Sequence, residues 1–153
     1  MRFTRNHSLW LTILAFVTMC SPSFAQSGGS LLSDFYTQMP TIYTRGVVYS
    51  SSQLTFAGSA PTTATTTVVA WTWAFNGQAV PAGTIVQLCN VASGQQLCLD
   101  VSSTPHGTTT LFQGDSLSGG AQYVVRMKVP GSGSTGGIYP SNTDQVIVNY
   151  LDN

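Results

Sequence analysis

Residues 65–75 constrain the fold of this chain more than any other stretch. From Val69 to Phe75 the odd positions (Val69, Trp71, Trp73, Phe75) are large and apolar, whereas Thr66, Ala70, Thr72 and Ala74 are small. A period of two in β-branched and aromatic residues predicts a strand that lays one bulky face on a core. Asn76-Gly77 follows directly, and both residues tolerate positive φ, so the chain is expected to turn there.

The pattern recurs. In Gln122–Val129, Tyr123, Val125, Met127 and Val129 alternate with Gln122, Arg126 and Lys128, which predicts an antiparallel strand with one wet face. Gln145–Leu151 predicts a last strand with Val146, Val148 and Tyr150 inward. Val47 with Tyr49, Thr84–Asn90, Gln96–Val101 and Thr108–Phe112 add shorter candidates, separated by Pro, Gly and Ser turn signals. No segment has convincing helical periodicity, although Leu31–Tyr36 suits a short turn of helix capped by Ser33 or Asp34 and ended by Pro40. The expected fold is all-β, a small antiparallel β-sandwich of about seven strands over residues 44–153, preferred to a small barrel. Residues 26–43, which begin Gln26-Ser27-Gly28-Gly29-Ser30, are expected to be loosely ordered.

The N-terminus has three parts. Arg2 and Arg5 precede the apolar run Leu9–Met19, and Ser23-Phe24-Ala25 places small residues at the two subsites that signal peptidase reads. The run is too short to span a bilayer. A signal peptide cleaved after Ala25 is expected, hence export, no membrane insertion after cleavage and, in a bacterium, a periplasmic location. Cleavage removes Cys20 and leaves Cys89 and Cys98. An even count in an exported chain favours a bridge, with two buried thiols as the alternative. The two cysteines mirror each other across Val91-Ala92-Ser93-Gly94, so a hairpin tied by a disulfide is the preferred reading.

Charge is sparse beyond residue 25. Arg45, Arg126 and Lys128 against Asp34, Asp100, Asp115, Asp144 and Asp152 leave a formal net charge of −2. Nothing here neutralises a row of phosphates, so no nucleic-acid partner is expected. His106 is the one histidine after residue 25, too few ligands for a metal centre; no metal and no cofactor are expected. No catalytic residue is expected either. His106 lies in Pro105-His106-Gly107, read as a turn, without a nucleophile elbow nearby. Asp100 and Asp115 would serve a glycosidase only if one cleft held both. Gly131–Gly137 lacks the lysine and helix that make a phosphate cradle, and reads as a flexible turn. Trp71 and Trp73 share a face, as a carbohydrate-stacking platform requires; the alternative places both rings in the core.

An ordered set of short motifs adds a resemblance. Arg45-Gly46-Val47 is followed by Val69-Ala70-Trp71, Asn76-Gly77, Pro81-Ala82-Gly83, Val86 and Leu88-Cys89. Cys98, His106-Gly107, Val129-Pro130-Gly131, Ser141-Asn142 and the run Gln145-Val146-Ile147-Val148-Asn149-Tyr150 continue it. Over roughly residues 44–150 the chain resembles the flagellar protein FlhE family, periplasmic proteins encoded with flagellar export genes. It departs from that pattern in an enlarged turn at Asn90–Gln96 and in Thr143-Asp144 before the last strand. The resemblance implies a non-enzymatic accessory of flagellum assembly, whose partners are rod, hook or export-apparatus proteins. It implies two roles: preventing premature assembly of flagellar parts in the periplasm, and limiting proton leakage through the export apparatus. The interaction surface, or a homodimer contact, is expected on Trp71, Trp73, Gln145, Val146, Val148 and Tyr150. A carbohydrate- or cell-surface-binding β-sandwich is the alternative.

Overall fold

The computed structural model describes residues 27–33, 39–94 and 96–152. The expected signal peptide lies outside them. Eleven strands and one short 3-10 turn (Ala92–Gly94) follow one another among the described residues. They are β1 (Gly28–Ser33), β2 (Ile42–Thr44), β3 (Val48–Ser50), β4 (Phe56–Ala57), β5 (Ala64–Thr72), β6 (Ile85–Asn90), β7 (Leu97–Asp100), β8 (His106–Thr109), β9 (Tyr123–Lys128), β10 (Ser134–Ile138) and β11 (Gln145–Asp152).

Five strands form one sheet in the order β4-β1-β11-β5-β8, and four form a second in the order β3-β9-β6-β7. A two-stranded ribbon, β10-β2, stands beside them. Trp71, Trp73 and Val146 line a small interior gap together with Val86, Leu88, Val101 and Val125. Tyr123 stacks edge-on with Phe112 at 5.3 Å and with Phe56 at 6.1 Å. One buried apolar cluster therefore joins the inner faces of both large sheets, as in a β-sandwich. The all-β, antiparallel expectation holds, with four strands (β1, β2, β4 and β10) beyond the expected ones.

The alternation holds where it is strongest. Tyr123, Val125, Met127 and Val129 are all buried, as are Val146 and Val148. In β5 and the residues just beyond it the alternation holds from Val69 to Phe75, but it fails upstream, where Thr66 is buried rather than outward. The cause is a bulge: Thr66 and Val68 pair with Tyr150 and Asn149, which leaves Thr67 without a partner and shifts the phase by one residue.

Three loop expectations are corrected. Gly28–Ser33, the end of the stretch read as flexible and the start of the expected helical turn Leu31–Tyr36, is strand β1, paired with β11 from Gly28↔Leu151 to Leu32↔Ile147, and the rest of that expected turn, from Asp34, lies outside the described residues. A Cβ on Gly29 would stand 2.6 Å from Cζ of Tyr150, so the glycine leaves room for that ring. His106 and Gly107 are not a turn but the start of β8, opposite Thr72 and Trp71. Half of the Gly131–Gly137 loop is strand β10, which pairs with β2 through Ser134↔Thr44 and Ile138↔Ile42.

Cys89 and Cys98 face each other directly in the β6–β7 hairpin, and their sulfurs are bonded. Their Cα atoms are 4.0 Å apart, the close spacing of a non-hydrogen-bonded antiparallel pair. The bridge ties edge strand β7 to the sheet.

Candidate interaction surface

The strands expected to meet a partner turn out to be the centre of the molecule. β11 lies between β1 and β5, so neither of its edges is free. Val146 and Val148 are wholly buried, and each contributes about 1.5–3 kcal/mol of hydrophobic stabilisation. Trp71 is 7% exposed and Trp73 2%. Their indole N–H groups donate to the Thr104 and Val101 carbonyls at 2.8 and 3.0 Å, so each ring is satisfied inside the fold. Gly107 allows this on the β8 side: a Cβ there would stand 2.7 Å from Cζ2 of Trp71. Gln145 and Tyr150 remain half-buried. The expected surface on Trp71, Trp73, Val146 and Val148 is thus core, and a stacking platform for sugar is excluded because neither ring faces solvent.

No candidate for chemistry is brought together. His106 is exposed at the edge of the five-stranded sheet and, among the described residues, bonds no serine or aspartate. Asp100 lies outward on β7 opposite Gln87, and the Ser102 hydroxyl and N–H hold its carboxyl below the usual range. Asp115 accepts from the inward Asn90 amide. The two acids therefore share no cleft. Asp144 is buried at the approach to β11, where its carboxylate accepts the N–H groups of Ala74 at 2.6 Å and Ser141 at 3.3 Å. Burial pushes this carboxyl up to about 7, and the two backbone donors offset only part of that cost. Among the described residues no helix is long and apolar enough to cross a membrane.

The outer face of the four-stranded sheet is different in kind. β9 places Arg126 and Lys128 outward, two residues apart, in register with β3 and β6. One row across the sheet reads Val48–Lys128–Ile85, and the next Ser50–Arg126–Gln87. Val48 is 58% exposed and Ile85 40%. Together with Gln87 these side chains surround a shallow hollow. The alternation in Gln122–Val129 had marked this as a wet face; what it could not show is that two aliphatic chains from neighbouring strands flank the two cations.

The fold defines a disulfide-tied antiparallel β-sandwich, and its described residues do not bring the candidate groups for chemistry together. The family model for flagellar protein FlhE matches residues 39–151, and the chain belongs to that family. A solved structure described as the crystal structure of FLHE aligns with a TM-score of 0.64 and 29% identity, over 80% of this chain and 96% of that one. A search of the curated proteins finds no match. Membership makes this a flagellar accessory protein of a periplasmic family, and the disulfide suits an oxidising compartment.

Proposed function

We propose that the chain is exported by cleavage after Ala25 and acts in the periplasm as a non-enzymatic accessory of flagellum assembly. In that role it keeps flagellar parts from assembling prematurely, limits proton leakage through the export apparatus, or does both. Its partners are rod, hook or export-apparatus proteins. The observation that carries this reading is the family match over residues 39–151. The fold supports it: side chains capable of chemistry are scattered, and recognition is left to sheet faces and edges.

The experiment is deletion of the gene in the source bacterium, with swimming, periplasmic filaments and cytoplasmic pH scored together. Loss of motility with stray filaments supports the assembly role, and an acidified cytoplasm the leakage role. Normal results for all three would remove the proposal.

A further inference from the structure

We propose that the outer face of β3, β9 and β6 docks an acidic protein segment that also carries an aliphatic side chain. This deepens the accessory reading, on which it rests for its biological use but not for its chemistry.

The argument is one of charge placement. The described residues include only three lysines or arginines, Arg45, Arg126 and Lys128. Two of them stand side by side on this one face, and neither side chain forms an ion pair or hydrogen bond among the described residues. The described aspartates other than Asp100 are engaged elsewhere. Asp115 binds Asn90, Asp152 accepts from the Thr63 hydroxyl, and Asp144 is buried against Ala74. Among the described acids Asp100 alone shares the face, on the far edge strand two strands from Arg126 and already bonded to Ser102. In a chain whose net charge is negative beyond residue 25, the β3–β9–β6 side is thus a local positive field, bounded by one acid at the β7 margin.

The aliphatic groups narrow the partner. Val48 and Ile85 flank Lys128 and remain exposed on a face with a hollow between them. A free phosphate or a lone carboxylate would use the cations and leave both apolar chains wet. A segment with alternating acidic and aliphatic side chains would meet both. β3 is also a sheet edge, so an extended segment can lie alongside it.

The test is an NMR titration of the isotope-labelled chain purified after export. The probe is a short peptide alternating aspartate and valine, with a lysine–valine peptide and phosphatidylglycerol vesicles as counter-probes. The expected result is amide shifts over residues 48–50, 85–87 and 126–128 with the acidic peptide alone, weakened by salt. The double variant R126Q/K128Q should lose roughly tenfold in affinity, and Val48→Ser a further part. All three side chains point outward, so the fold is retained. Absent shifts, an equal response to the lysine peptide, undiminished binding by R126Q/K128Q, or a response to vesicles in place of peptide would each overturn the proposal. A flagellar phenotype on deletion together with absent shifts would sink this face alone. Normal motility and pH with the shifts intact would sink the flagellar reading alone.

Discussion

Asp144 accepts the backbone N–H of Ala74 at 2.6 Å, and this bond ties the approach to β11 to the chain just beyond β5. Asp144 is 4% exposed, and desolvation raises its carboxyl from 3.8 to about 7. A group raised on folding contributes stability that is complete below its unfolded value and is lost as pH rises through its folded value. The protein should therefore be more stable at pH 5 than at pH 8. The full loss is on the order of 4 kcal/mol as an upper bound, ~1.4 kcal/mol for each pH unit between the two values. Asp144→Asn keeps an oxygen for Ala74 and cannot ionise, so its melting temperature should stay level across that window. Thermal melts of both proteins in matched buffers check this, and parallel decline of the two would contradict it.

Gly107 stands against the Trp71 ring, where a Cβ would come within 2.7 Å of Cζ2. Gly107→Ala must displace the indole and strain its bond to the Thr104 carbonyl. A loss of about 1–3 kcal/mol is expected from overpacking at this contact. Urea denaturation measures it; an unchanged midpoint would mean that the ring has room to move.

The Cys89–Cys98 bridge closes a loop with a sequence separation of 9. The Cys89→Ser/Cys98→Ser double variant should lose roughly 2–3 kcal/mol in the chain-entropy picture. Because the bridge anchors an edge strand, hydrogen exchange should rise first over Leu97–Asp100. Exchange rising equally across β9 would show instead that the bridge supports the whole sheet.

Val148 and Lys128 separate inside from outside. Val148 is wholly buried in a central strand, so Val148→Ala should cost about 2–3 kcal/mol and Val148→Asp should abolish folding. Lys128→Gln, on the outer face, should change stability by less than about 0.5 kcal/mol. Expression level and denaturation midpoints of the three variants test the contrast. A folded Val148→Asp protein would place β11 at a surface.

Much of this fold is legible because side-chain alternation is a direct record of which face meets the core. Tyr123 to Val129 and Val69 to Phe75 could be assigned inward from that record alone. The cysteine pairing was legible for a similar reason, since the two residues mirror one another across a turn. The burial of Thr66 escapes the alternation because a bulge inserts one residue and leaves no mark in hydrophobicity. Gly28 and Gly29 read as loosely ordered in the sequence because composition does not distinguish a flexible glycine from one, such as Gly29, that makes room for the Tyr150 ring. The burial of Trp71, Trp73, Val146 and Val148 is not legible in the sequence for a physical reason as well. Bulky aromatic residues signal burial and binding alike, and only strand order shows that β11 has a neighbour on each side. The Val48–Lys128–Ile85 row joins residues far apart in sequence, and no local pattern announces it.

The claim most central to all of this is that β5 and β11 are the sealed centre of the molecule and that recognition belongs to its outer faces. After removal of residues 1–25, Trp71 and Trp73 are the only tryptophans left. Acrylamide quenching of their fluorescence in the folded, processed chain therefore reads that claim directly. The expected result is blue-shifted emission that resists quenching until the protein is unfolded and does not change on addition of sugars. Emission near that of free tryptophan, quenched as readily before unfolding as after, would contradict it.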